Sequence, residues 1–233
     1  MRLDLLAELN AARAERRAAV LVTALEGGAQ RLVRAEAIGE DALAEQIDAA
    51  LRSGKSGMVE KDGSSWFLTV QVPPVRLIVI GAVHITQALA PIARLAGFDM
   101  TIVDPRTAFA TPERFPDTPV IADWPETVLP PMKLDRYTAM ACFTHDPKID
   151  DPALEQALAA ECFYIGALGS RKTHGKRLER LREKGFSSEQ TDRIRAPIGL
   201  DIGAVTPAEI AVSVLGEIIL ALRKKSLRTE KPA

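Results

Sequence analysis

The chain has 233 residues, enough for one large or two small domains and for a substantial buried core. Its 30 basic and 31 acidic residues leave a net charge of −1 and a pI near 6.3, without the basic footprint of a nucleic-acid binder. No apolar run is long enough to cross a bilayer, and the charged, amphipathic N-terminus is unlike an export signal, so the expectation is a cytoplasmic protein with no membrane partner.

Residues 1–75 read as a small α/β domain. A helix is predicted over 3–16, with Leu3, Leu6 and Leu9, or Leu5 and Leu9, on one side. Strands at 19–25 and 30–35 flank Gly27-Gly28, a hairpin signal. A second helix over about 40–52 ends at Ser53-Gly54, and Asp62-Gly63 turns Met58–Glu60 back onto Trp66–Val72. Pro73-Pro74 cannot continue a central strand and closes the domain. This half holds no histidine and no cysteine.

Residues 76–233 alternate strand and helix. That pattern predicts a Rossmann-like, doubly wound and mostly parallel sheet, making the whole chain an α/β protein with a smaller N-terminal α/β domain. The apolar run Leu77–Ile80 breaks at Gly81, a helical pattern follows, Gly97 stops it, and Met100–Val103 ends on Asp104. Asp104 follows Gly81 at close to the roughly 20-residue spacing of a ribose-binding acid, although Val83 and Thr86 replace two glycines of the dinucleotide fingerprint. The bland alternative is a structural unit whose Asp104 caps a loop. A proline-rich stretch leads to a short strand at Val120-Ile121, and WPETVLPP reads as another connection. Strands at Tyr137–Phe143 and Phe163–Ile165, and helices over Pro152–Ala160, 173–184 and 188–195, follow. In the last helix Thr206-Pro-Ala-Glu209 is a capping box, Arg223-Lys224-Lys225 closes it, and the tail after Ser226 reads as frayed.

Ligands of open α/β sheets bind beyond the carboxyl ends of the strands. The candidates are therefore Gly81, Ala82, Val83 and His84; Asp104 and Arg106; Thr144, His145 and Asp146; and Gly166, Gly169, Ser170, Arg171 and Lys172. His84 and His145 are expected to face one cleft. Gly166-x-x-Gly169-Ser170-Arg171-Lys172 before a helix suits an anion cradle, since glycines admit close backbone approach and the cations supply charge. His145 with Asp146, Asp150 and Asp151 is the one candidate metal set, weakened because Asp151 before Pro152 reads as an N-cap. His174 reads as a surface residue, and Cys142 and Cys162, in apolar runs, as buried free thiols. No catalytic triad, zinc spacing or Walker motif occurs.

Four stretches in order, GAVHITQALAPIARLAGFDMTIVDPRTAFATPERFP (81–116), FTHDPKIDDPALEQAL (143–158), YIGALGSRKT (164–173) and RIRAPIGLDIGAVTPAEIAVSVLGEI (193–218), resemble the C-terminal domain of the xanthine dehydrogenase accessory factor (XdhC/CoxI) family. The resemblance implies a chaperone that binds the molybdenum cofactor, as molybdopterin or its cytosine dinucleotide, and helps its sulfuration and insertion into a xanthine dehydrogenase-type molybdenum hydroxylase. On that reading Gly81–His84 and Gly169–Lys172 hold phosphate and Asp104 a ribose. The expected partners are the molybdoenzyme, a cysteine desulfurase and, because a delivery protein needs a broad docking face, a second copy of the chain. A chaperone needs no catalytic residue; NAD(P)-dependent oxidoreduction and nucleotide sensing are the alternatives. Two departures stand out: the family's Gly-Ala-Gly-His is Gly81-Ala82-Val83-His84 here, and its N-terminal Gly-Cys element is absent.

Overall fold

The computed structural model describes residues 2–224. They form two compact units whose boundary in sequence falls at Pro73 and Pro74.

The first unit contains α1 (Leu3–Ala14), β1 (Ala19–Ala24), β2 (Gln30–Arg34), a 3-10 turn at Ala35–Glu40, α2 (Ala44–Ser53), β3 (Gly57–Lys61) and β4 (Ser64–Gln71). Its four-stranded antiparallel sheet has the order β2-β1-β4-β3. Central β1 is buried from Ala19 to Val22, while Leu5, Leu9 and Ala12 of α1 supply apolar cover within the unit. Gly27 and Gly28 both take positive φ, as the hairpin requires. The helix expected from about residue 40 starts four residues later. Asp41 instead receives both Arg31 nitrogens (2.7 and 2.8 Å) and the Leu43 N–H (2.8 Å), which fixes a turn ahead of α2.

The second unit contains β5 (Arg76–Ile80), α3 (His84–Leu95), β6 (Asp99–Val103), β7 (Val120–Ile121), α4 (Pro125–Met132), β8 (Thr138–Cys142), α5 (Pro147–Ala159), β9 (Tyr164–Ala167), α6 (Arg171–Glu183), α7 (Ser188–Thr191), β10 (Ile194–Arg195) and α8 (Pro207–Lys224). The six strands pair in parallel in the order β10-β9-β8-β5-β6-β7. Ile78 and Ile80 of β5 enter a core with α4, α5 and α6. Leu77 and Val79, which alternate to the opposite face, are equally buried. Two buried faces explain the unbroken apolar strands of this sheet.

Three local readings change. WPETVLPP is not a connection: Pro125 opens α4 at a position where a missing N–H costs nothing, and Pro130 and Pro131 fall in its last turn before Lys133 in the left-handed region. The helix expected at Pro152 begins at Pro147, with Asp146 rather than Asp151 as its N-cap, its side chain accepting from Lys148 N–H at 2.9 Å. The helix expected over 188–195 is only Ser188–Thr191, because the chain then enters β10 beside β9. The capping box at α8 forms, with Glu209 N–H to Thr206 Oγ1 at 3.2 Å and Thr206 N–H to Glu209 Oε2 at 2.9 Å. Lys225 and the tail after Ser226 lie outside the described residues.

Candidate functional site

Because the strands are parallel, the pairings Ile80↔Val103, Ile80↔Cys142 and Cys142↔Ala167 put the exits of β5, β6, β8 and β9 on one rim of the sheet. All four predicted clusters sit on that rim. The chain leaves β5 toward β6 on one side and returns to β8 on the other, so the crevice between β5 and β8 is the topological switch point. There the turns come close: a Cβ on Gly81 would stand 3.0 Å from Thr144 Cγ2, and Gly81 has φ +113°. Only glycine fits both demands.

The β6 exit is sealed. Asp104 is fully buried and accepts Ala82 N–H (2.7 Å), Arg106 N–H (2.9 Å), Arg106 Nε (2.9 Å) and Arg106 Nη2 (2.8 Å). Burial works to raise its carboxyl, but these donors outweigh it and the net shift is downward. Four donors fill the acceptor capacity of a carboxylate, so in this arrangement Asp104 has no lone pair left for a ribose hydroxyl. It instead locks the β5–α3 turn to β6. Arg114 adds to the lock, donating to Ala82 O (2.8 Å), Phe109 O (2.8 Å) and Gln87 Oε1 (2.9 Å). The proline-rich loop after Asp104 is thereby tied over the turn. Val83, exposed His84, Arg106, Phe109 and Arg114 then line an open hollow of about 360 Å³, with Arg106 4.8 Å above the Phe109 ring.

The exits of β8 and β9 form a second hollow of about 300 Å³, lined by His145, Pro147, Asp151, Lys172, Thr173, Lys176, Arg177 and Arg180. His145 has φ +62°, a costly conformation for a non-glycine residue, and its N–H donates to Asp150 Oδ2 at 3.1 Å. Asp150 also accepts Thr144 Oγ1 at 2.7 Å. Burial raises the Asp150 carboxyl against the opposing pull of Thr144 and Arg177. Asp151 is paired with Arg180 at 2.5 and 3.0 Å. Asp146, Asp150 and Asp151 are thus committed to a cap, a turn and an ion pair, and no metal-holding group of three His, Cys, Asp or Glu exists among the described residues.

A family model described as the XdhC Rossmann domain matches residues 77–218. The chain belongs to that family. It is 36% identical over 159 residues to the uncharacterized protein YqeB of Escherichia coli K12, covering 66% of this chain and 29% of YqeB. It is 36% identical over 146 residues to the molybdenum cofactor insertion chaperone PaoD of the same organism (63% and 40%), and 34% over 148 residues to a Bacillus subtilis 168 protein named as a probable xanthine dehydrogenase subunit (63% and 43%). The chain spans less than half the length of each of these curated relatives. A solved xanthine dehydrogenase from Bacillus halodurans superposes with a TM-score of 0.68 over 94% of this chain and 67% of its own, at 24% identity, which shows a shared fold.

Within this XdhC domain the glycine-basic cradle is only partly assembled as expected. Gly166 lies in β9 and is buried; a Cβ there would meet Ile198 Cδ1 at 2.6 Å and the Tyr164 hydroxyl at 2.7 Å, so it serves packing. Gly169 does take φ +137°, which a residue with a Cβ would find strained, and Ser170 caps α6 through Thr173 N–H at 3.2 Å. Of the two cations at the helix start, Lys172 lines the hollow and exposed Arg171 is not part of its lining. Two residues escaped the sequence reading. Arg177 is 2% exposed, and His174 is half-buried rather than on the surface, with burial and then the Arg177 charge lowering its pKa. The available signal was spacing: His174 and Arg177 precede buried Leu181 by seven and four residues, the stripe that a helix turns inward.

Cys142 and Cys162 are buried and free. Burial pushes both thiols up, Cys162 to about 12, so neither is a thiolate at neutral pH. Among the described residues no helix is long and apolar enough to cross a membrane.

Proposed function

We propose that this chain is a cytoplasmic accessory protein that binds the molybdenum cofactor, as molybdopterin or its cytosine dinucleotide, and helps its sulfuration and insertion into a xanthine dehydrogenase-type hydroxylase. The observation that carries the reading is the rim: two hollows lined by cations at the carboxyl edge of the sheet, on either side of its switch point. A pterin bearing phosphate offers an anion and a flat ring, and the rim offers Lys172, Lys176 and Arg177 for the first and Arg106 over Phe109 for the second. The names of PaoD and of the Bacillus subtilis relative support the same cargo and recipient. Because both thiols are buried and protonated, sulfur for the cofactor comes from another protein, which suits a cysteine desulfurase. A second copy of the chain would widen the face presented to the recipient.

Incubating the full chain with cofactor released from a molybdoenzyme, then filtering and identifying the retained pterin by its fluorescence after oxidation, tests the proposal. The expected result is saturable retention of one pterin per chain, weakened severalfold by Lys172→Ala combined with Lys176→Ala. Retention of NADH or NADPH with no pterin would replace this reading with that of a nicotinamide-binding protein.

A further inference from the structure

Arg177 holds a guanidinium in an incomplete environment. Its Nη2 donates to Leu168 O at 3.1 Å, but Nε and Nη1 are buried with no hydrogen-bond partner. The nearest carboxylate oxygen, Asp150 Oδ2, stands 4.0 Å from Nη2, too far to bond. One turn earlier, His174 Nδ1 is buried and unpartnered as well. A buried donor left without an acceptor forfeits its bond to water and gains nothing in return, and two on one cation are rare in a folded interior.

The surroundings explain what is missing. Arg177 lines the 300 Å³ hollow together with Lys172, Lys176 and Arg180, and the lone acid of that lining, Asp151, is consumed by Arg180. Three cations therefore share the hollow with no paired anion among its lining residues. Arg177 is rigidly placed: its side chain is 3% exposed, and it rises from α6 in the stripe that carries Leu181 into the core. Lys172 and Lys176, both exposed, stand four residues apart on the same helix. A buried planar fork with two mobile ammonium groups beside it is a receptor for a tetrahedral oxyanion, because the fork binds two oxygens side by side and the lysines neutralise the rest.

We propose that Arg177 is the anion receptor of this domain, with Lys172 and Lys176 completing the site, and that its ligand is a phosphate monoester or pyrophosphate. The identity of that ligand as the phosphate end of the pterin cofactor rests on the function proposed above; the receptor itself does not. It moves the cradle from the glycine-rich turn, where the sequence suggested it, one and a half turns down α6.

Titration of the full chain with inorganic phosphate, pyrophosphate and molybdate, followed by calorimetry and by 31P line broadening for the phosphorus ligands, tests this. Saturable binding in the low millimolar range or tighter is expected, reduced at least tenfold in Arg177→Gln and severalfold in Lys172→Ala with Lys176→Ala. The double variant alters only exposed side chains, so it keeps the test alive if Arg177→Gln fails to fold. Absence of saturable phosphate binding, or equal affinity in both variants, would overturn the receptor. Molybdate binding more than tenfold tighter than phosphate would overturn the ester assignment. A chain that retains pterin but shows no Arg177-dependent phosphate binding sinks the receptor and leaves the chaperone reading standing; phosphate binding that needs Arg177 in a chain that retains no pterin does the reverse.

Discussion

Two acid–arginine pairs stand on the same rim and are built in opposite ways. At the β6 exit, Asp104 and Arg106 bond through two side-chain contacts of 2.8 and 2.9 Å, and the remaining acceptor positions are filled by backbone N–H groups. At the β8 exit, Asp150 and Arg177 stand 4.0 Å apart with the arginine left short of partners. The first pair is complete within the protein, so its role is to hold the turn. The second is complete only when something anionic arrives. Proximity of an arginine to an acid at a sheet edge is therefore uninformative until the acceptors are counted.

Substitutions can break this contrast. Asp104→Ala should have the largest effect on stability, about 3 kcal/mol by chemical denaturation, because it takes the acceptor from the Ala82 and Arg106 N–H groups and unlocks the β5–α3 turn from β6. Gly81→Ala follows at about 2 kcal/mol, since φ +113° and the 3.0 Å approach to Thr144 are both violated. The pH dependence sharpens the same point. The folded Asp104 carboxyl lies below its unfolded value of roughly 3.9, so its stabilisation is present above that pH and is lost as pH falls through the lower, folded value. Asp104→Asn should therefore flatten the acid limb of the stability curve. Arg177→Met, by contrast, should abolish anion binding while costing less than Asp104→Ala, because the two unmet donors it removes offset the lost Leu168 bond and the 4.0 Å contact to buried Asp150. The smallest effect is expected from Arg171→Ala, an exposed residue outside the hollow, at under about 0.5 kcal/mol in denaturation and less than Lys172→Ala in phosphate affinity.

The β5–α3–β6 unit was legible in the sequence because glycine breaks and apolar runs are local signals, and strand ends in a parallel sheet share a rim by topology. What Asp104 does was not legible. Ribose binding and loop locking ask for the same residue at the same spacing, and only the donors of Ala82 and Arg106 separate them. Asp146-Pro147 and Asp151-Pro152 carry the same helix-start signal five residues apart, and the choice fell to Asp146 because Asp151 turns toward Arg180. WPETVLPP hid a helix because three prolines occupy positions where a short helix tolerates them. Arg177 was concealed among the many cations of α6, since burial of one of them depends on Leu168 and Asp150 from other elements.

We propose that this rim grips a phosphate-bearing pterin. The most direct test is equilibrium binding of molybdopterin to the full chain, with inorganic pyrophosphate as competitor. One site per chain, displacement by pyrophosphate, and at least a tenfold loss in Arg177→Gln are expected. Molybdopterin that binds with unchanged affinity in saturating pyrophosphate and in the variant would contradict it.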